Sequence, residues 1–153
     1  MRDFDGDGTL DLFIANQTSN DVSYLAGAGA GIFMDRVNYP LDPFPYSVAV
    51  EDYNGDGILD VAVVVESDEA VQVFFGNGDG SFTYADWLSV GSTPHFVATG
   101  DFNGDGRPDL VVANSGSNSL SLMLNNSQPI HWLCARVHGS TCEASQELSG
   151  PSP

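Results

Sequence analysis

A ten-residue pattern recurs three times at equal spacing, and no other feature constrains the fold as much. Asp3-Phe4-Asp5-Gly6-Asp7-Gly8-Thr9-Leu10-Asp11-Leu12 returns as Asp52-Tyr53-Asn54-Gly55-Asp56-Gly57-Ile58-Leu59-Asp60-Val61. It returns again as Asp101-Phe102-Asn103-Gly104-Asp105-Gly106-Arg107-Pro108-Asp109-Leu110, and the step is 49 residues both times. Flanking positions keep the register: Val22, Val71 and Leu120 align, as do Tyr24, Val73 and Leu122, and Phe33 falls on Phe82. Self-similarity at such a period marks an array whose units bury their apolar faces only against one another.

One period reads as strands and turns. Residues 47–52 form a short strand entering the acidic loop, and residues 59–65, rich in β-branched side chains, leave it. Glu66-Ser67-Asp68-Glu69 is a polar turn, and Val71-Gln72-Val73-Phe74 alternates as a half-buried strand does. Gly76-Asn77-Gly78-Asp79-Gly80 is a turn of residues that tolerate positive φ, followed by a fourth strand over residues 82–90. No stretch has a helical period. Four strands in one period of this length is the unit of a β-propeller blade.

The first unit, residues 1–45, starts at its loop and so lacks its first strand; the second, residues 46–94, is complete. The third, residues 95–127, is expected to lack its last strand. Pro129 and His131 stand where Gly80 and Phe82 stand one period earlier. Residues 128–153 read as a poorly ordered, non-repeat tail. The expected fold is all-β, a partial β-propeller of about two and a half four-stranded antiparallel blades. Closure takes roughly four blades or more, so sheet edges stay open. Further repeats of a longer chain, or self-association, are the expected covers. No signal-peptide pattern precedes Asp3, so the chain is expected either to have lost its natural N-terminus or to carry no export signal.

The acidic loops are built for a hard cation. In the second loop Asp52, Asn54, Asp56 and Asp60 take positions 1, 3, 5 and 9, and alternate spacing around a tight turn points their oxygens at one centre. The carbonyl of Ile58, at position 7, is a natural further ligand. The parallel sets are Asp3, Asp5, Asp7, Asp11 with the Thr9 carbonyl, and Asp101, Asn103, Asp105, Asp109 with the Arg107 carbonyl. Oxygen donors in this number suit Ca²⁺, and up to three ions are expected. Zinc is excluded because the loops contain no Cys or His. An EF-hand loop opens the same way but needs Glu at position 12, where Ile14, Val63 and Val112 stand. The first loop has the most carboxylates but lacks its leading strand, so the loops at Asp52 and Asp101 are expected to bind better.

Charge enters here. The chain has 21 acidic residues against 4 basic ones, a formal net charge of −17, and ten of those acids sit in the ligand positions. Three divalent ions would bring −17 to −11. The acidity excludes a nucleic-acid partner held through phosphate. The longest apolar run, residues 61–65, is far too short to span a membrane.

The pattern Asp-x-Asn-Gly-Asp-Gly-x-x-Asp-Leu, with Gly76-Asn77-Gly78-Asp79-Gly80-Ser81-Phe82 downstream, resembles the FG-GAP/VCBS repeat. That is the repeat of integrin α-subunit propellers and of many surface proteins. The resemblance covers residues 2–127. It implies a β-propeller with calcium in the loop between the first two strands of each blade, and the three sets above as ligands. It also implies an extracellular or cell-surface location and a role in adhesion or ligand binding. Departures are the missing start of the first unit, Ala28-Gly29-Ala30 in place of Asn-Gly-Asp, and the unrelated tail.

The expected function is a non-catalytic, calcium-stabilised binding or adhesion module for a protein or carbohydrate partner. The alternatives are accessory repeats of a secreted enzyme, or a fragment with no independent role. No nucleophile elbow, Ser-His-Asp set or phosphate-cradling loop is present in the sequence. Cys134 and Cys142 allow a disulfide, and together with His131 and His138 they are spaced too widely for one zinc ion on a helix. Asn16-Gln17-Thr18 and Asn125-Asn126-Ser127 are glycosylation sequons. Trp87 and Trp132 are candidate surfaces for stacking a sugar, though Trp87 is expected rather to pack between blades, and His95 is expected near a strand start in the place of Tyr46.

Overall fold

The computed structural model describes residues 1–126 and 132–137, and of the side chains past residue 131 only Trp132, Leu133 and Cys134. The described residues form eleven strands and no helix. The strands are β1 (Leu12–Asn16), β2 (Asp21–Leu25), β3 (Val37–Pro40), β4 (Pro45–Glu51), β5 (Asp60–Val65), β6 (Ala70–Gly76), β7 (Phe82–Ser89), β8 (Pro94–Gly100), β9 (Asp109–Asn114), β10 (Ser119–Asn125) and β11 (Trp132–Val137). They make three antiparallel sheets in sequence order, β1-β2-β3, β4-β5-β6-β7 and β8-β9-β10-β11. Among the described residues no helix is long and apolar enough to cross a membrane.

The sheets stack face to face through two apolar layers. Phe4, Val22 and Tyr24 of the first sheet meet Val61, Val63, Phe74 and Phe82 of the second. Ala62, Val64, Val71 and Val73, on the other face of the second sheet, meet Val97, Leu110, Val112, Met123 and Trp132 of the third. This arrangement explains the Val61-Ala62-Val63-Val64-Val65 run. A middle sheet is covered on both faces, so alternation disappears, and all five residues are fully buried. Phe82 anchors the first layer, with ring centroids 5.0 Å from Phe13, 5.5 Å from Phe4 and 5.8 Å from both Tyr24 and Tyr39. Edge-on contacts of this kind add to the area each ring buries.

The expectation that the third unit lacks its last strand is not met. β11 pairs antiparallel with β10 from Asn125↔Trp132 to Leu120↔Val137. The equivalent pairs are Gly27↔Phe33 and Gly76↔Phe82. The connection is residues 28–32 and 77–81 in the first two units but residues 126–131 in the third, one residue longer. Trp132 therefore does the work of Phe33 and Phe82 one position late. The sheets hold three, four and four strands, more than two and a half units. The expected tail thus begins inside a strand; residues 138–153 lie outside the described residues.

Two tryptophan expectations reverse. Trp132 is 3% exposed and edge-on to Tyr53 at 5.8 Å, so it offers no stacking surface. Trp87 is 42% exposed on β7 rather than buried between sheets. Cys134, on β11, is disulfide-bonded; Cys142, His131 and His138 lie outside the described residues. Neither sequon presents a free asparagine. Asn125 is fully buried and its amide donates to the Tyr53 carbonyl at 2.7 Å. The Asn16 amide donates to Asp21 Oδ1 and Ser23 Oγ, both at 2.7 Å. His95 lies at the start of β8, exposed, with its ring 4.5 Å from that of Tyr46.

Candidate metal centre

The second and third acidic loops join the strand entering them to the strand leaving them, β4 to β5 and β8 to β9, and the first loop leads into β1. The fold of the loop is set by its own aspartates. Asp52 Oδ1 accepts from the N–H of Gly55 at 2.7 Å and of Asp56 at 3.2 Å, and its Oδ2 accepts from Gly57 at 2.8 Å. Asp101 repeats these bonds with Gly104, Asp105 and Gly106, and Asp3 accepts from Gly6 and Gly8. The chain must turn left-handed to aim these N–H groups inward. The glycines at positions 4 and 6 accordingly have φ between 74° and 89° in all three copies. A run of N–H donors around a carboxylate is a small anion nest. In the third loop those donors, Gly106 first, hold the Asp101 carboxyl below its ordinary range. Asp7 is likewise lowered, by the hydroxyl and then the N–H of Thr9.

Position 9 has a second task. Asp11, Asp60 and Asp109 are fully buried. One oxygen accepts from the N–H of Phe4, Tyr53 or Phe102, at 2.8, 2.9 and 2.9 Å. The other accepts from Gly27, Gly76 or Asn125, at 2.7, 3.0 and 2.9 Å. This carboxylate ties the loop to the end of the strand that neighbours the one leaving it. Gly27 and Gly76 leave no room for a side chain, since a Cβ would stand 2.4 Å from the Leu10 carbonyl oxygen or 2.3 Å from that of Leu59. Burial pushes the Asp60 carboxyl up to about 6, against the N–H bonds of Gly76, Tyr53 and Asn54 that pull it down. Burial, with the charges of Asp11 and Asp5, also raises the Tyr24 hydroxyl, which donates to Asp11 at 3.2 Å.

The residue at position 2 packs the first two loops into the apolar layers between sheets. Phe4 and Tyr53 are buried in the first and second apolar layers. Phe102 faces away from both and is 50% exposed. The third loop is the most open of the three in consequence, with Asp101, Asn103 and Asp105 all exposed.

The sequence-proposed ligands come together to different degrees. In the first loop, carboxylate oxygens of Asp3, Asp5 and Asp11 lie within 4.8 Å of one another, which fits one cation. Asp7 turns instead to the Thr9 N–H at 2.7 Å and to the Thr9 hydroxyl. In the second and third loops Asn54 and Asn103 take the place of Asp5. Their amides donate to Asp56 and Asp105 Oδ2 at 2.9 Å, while their oxygens accept the N–H of the same residues. Asp56 and Asp105 also accept the N–H of Ile58 and Arg107, at 2.7 and 2.9 Å. Every proposed ligand atom is an oxygen, which suits a hard cation such as calcium rather than a soft metal.

Sequence reasoning used Arg107 only as a carbonyl and missed its side chain. The guanidinium pairs with Asp105 and donates to the carbonyls of Asn125 at 2.7 Å and Asn126 at 3.0 Å. The signal was present: it is the only cation in any of the three loops.

The opposite ends of the strands carry the other set of turns. There a groove of ≈ 900 Å³ is lined by Asn20, Phe44, Tyr46, Glu66, Glu69 and Thr93. The backbone of these turns repeats with the period as well. Asn20, Glu69 and Asn118 have φ of 55°, 50° and 48°, and Phe44 and Thr93 have 68° and 53°.

A family model described as FG-GAP-like repeat matches residues 3–63 and 52–112, each match running from one acidic loop through the next. No curated protein and no solved structure matches the chain.

Proposed function

The chain belongs to the FG-GAP-like repeat family, and on that premise we propose that it is a calcium-stiffened segment of a β-propeller. Its role in this reading is a non-catalytic extracellular module that binds a protein or carbohydrate partner. One observation supports calcium above the rest: Asp3, Asp5 and Asp11 bring three carboxylates within 4.8 Å in a loop whose backbone is repeated twice more. Carboxylates so close repel one another unless a cation or a proton relieves them. Bound Ca²⁺ supplies that positive charge and cross-links its ligands.

The chain's own residues do the rest. Asp3, Asp52 and Asp101 fold the loops through backbone N–H groups. Asp11, Asp60 and Asp109 fasten them to the sheets. Phe4 and Tyr53 transmit the fastening to the next sheet. Rigid loops at one end hold the strands in register, and the turns at the other end, with exposed Phe44 and Tyr46, are the face offered to a partner.

The loops are not equal in this reading. The second is flanked by complete strands and holds no cation of its own, so it binds best. The third spends part of the Asp105 charge on Arg107. Isothermal titration of the metal-stripped chain with CaCl₂, alongside the variants Asp5→Ala, Asp56→Ala and Asp105→Ala, tests this. The largest loss is expected from Asp56→Ala, and a dominant loss from Asp5→Ala refutes the ranking. Affinities in the range of extracellular modules, about 10⁻⁴–10⁻³ M, are expected. A melting temperature identical in excess chelator and in saturating calcium overturns the calcium reading altogether.

A further inference from the structure

Three asparagines of the chain stand directly before a glycine: Asn54, Asn77 and Asn103. Glycine has no side chain to keep its backbone nitrogen from the amide carbon of the asparagine before it. All three glycines are left-handed, with φ of 74°, 79° and 80° for Gly55, Gly78 and Gly104. The pairs differ in what holds the two groups that would react.

In the second and third acidic loops both groups are held. The N–H groups of Gly55 and Gly104 donate to carboxylates, Asp52 Oδ1 and Asp101 Oδ1, both at 2.7 Å. A charged acceptor keeps the proton on the nitrogen and fixes its direction. The amides of Asn54 and Asn103 are each bonded at both atoms, by Asp56 and Asp105, at 2.8 to 2.9 Å. The third pair lies in the turn between β6 and β7, and there both Asn77 and Gly78 are exposed. Nothing among the described residues accepts from the Gly78 N–H. The Asn77 amide donates to Ser81 Oγ at 2.9 Å and accepts from the Thr83 hydroxyl at 3.2 Å, at the protein surface. Water replaces such hydroxyls at little cost.

We propose that Asn77-Gly78 is a site of spontaneous self-modification, where Asn77 becomes aspartate and isoaspartate, while the acidic loops shield Asn54 and Asn103. The Gly78 nitrogen gives its proton to solvent base and attacks Asn77 Cγ. The new N–C bond closes a succinimide ring; the bond from Cγ to the amide nitrogen breaks, and ammonia leaves. Solvent water then opens the ring at either carbonyl. Opening at the main-chain carbonyl leaves isoaspartate, whose backbone runs through Cβ and Cγ and is longer by one methylene. That extra length falls beside the second acidic loop. Gly76 donates to the buried Asp60 at 3.0 Å and pairs with Phe82 across the turn. A Cβ on Gly78 would stand 3.2 Å from Ile58 Cδ1, so the turn is seated on that loop. A longer backbone between these contacts displaces one of them and loosens the Asp60 clamp. The site does not rest on calcium binding.

The test is peptide mapping by mass spectrometry after the full chain has been kept in warm, mildly alkaline buffer, folded or in urea. In the folded chain, conversion at Asn77 should outpace that at Asn54 and Asn103 by about tenfold or more, the factor that one hydrogen bond to a charged group is worth. In urea the three should convert at similar rates, because only the fold tells them apart. Conversion of Asn54 or Asn103 as fast as Asn77 in the folded chain overturns the proposal, as does the same preference for Asn77 in urea. The isoaspartyl fraction, separated by chromatography and identified with isoaspartyl methyltransferase, should melt about 5 °C or more below the unmodified chain. The variant Asn77→Asp carries the charge without the methylene and should melt within about 2 °C of it. Equal losses in the two would trace the effect to charge and overturn the loosened clamp.

Discussion

Replacing Asp60 by Asn separates the structural task of the buried aspartate from its task as a ligand. Asp60 is fully buried and accepts from the N–H groups of Tyr53, Asn54 and Gly76 at 2.9, 3.2 and 3.0 Å. Its carboxyl is pushed up from 3.8 to about 6, burial being the largest cause. The folded state thus takes up the proton more readily than the unfolded state. The stability tied to that proton is complete below pH 3.8 and is lost as pH rises through 6. Over the whole range the loss is ~3 kcal/mol. Between pH 5 and pH 7 it is ~1.3 kcal/mol. Asn has no proton to exchange. In chelator, the stability gap between the native chain and Asp60→Asn should therefore shrink by ~1.3 kcal/mol from pH 5 to pH 7. That corresponds to roughly 3–5 °C in relative melting temperature for a chain of this size. A pH-independent loss of about 1–3 kcal/mol lies beneath it, because the new NH₂ faces a buried N–H donor. Urea unfolding at the two pH values measures both parts. In saturating calcium the slope should reverse for the native chain, since an ion at this carboxylate favours its ionised form. Parallel stability of native and variant across pH 5–7 in chelator would refute the reasoning.

Two other substitutions probe the layers and the third loop. Phe82→Ala removes the ring at the centre of the first apolar layer and should cost about 3–5 kcal/mol in chemical denaturation; a loss below roughly 1 kcal/mol contradicts the packing described. Arg107→Gln takes a cation from beside Asp105. Calcium affinity of the third loop should rise about fivefold, the equivalent of ~1 kcal/mol of charge repulsion in water, as read by titration calorimetry. Unchanged affinity would mean that the guanidinium swings clear of the ion.

The acidic loops were legible because their geometry is local. Glycines at positions 4 and 6 permit a left-handed turn whatever surrounds them, and carboxylates at alternate positions collect the N–H groups that the turn exposes. β5 and β6 were legible for a related reason, since β-branched and alternating residues declare extended chain. Position 9 was legible only in part. The sequence marked Asp11, Asp60 and Asp109 as ligands but not as clamps on Gly27, Gly76 and Asn125, which lie 16 residues on, at the end of the neighbouring strand. β11 was misread because one extra residue in the connection moved its anchor off the 49-residue register, from position 131 to Trp132.

The sequence alone determined the period, the turns and the oxygen-rich loops, because each depends on backbone preferences and side chains a few residues apart. Tertiary structure decided what each side chain meets across a gap between sheets. It buried Trp132 and exposed Trp87, enclosed Asn125, and left Phe102 half exposed while enclosing Phe4 and Tyr53. A sheet has two faces and two edges, and a pattern of alternating residues says which positions share a face, not which neighbour covers it.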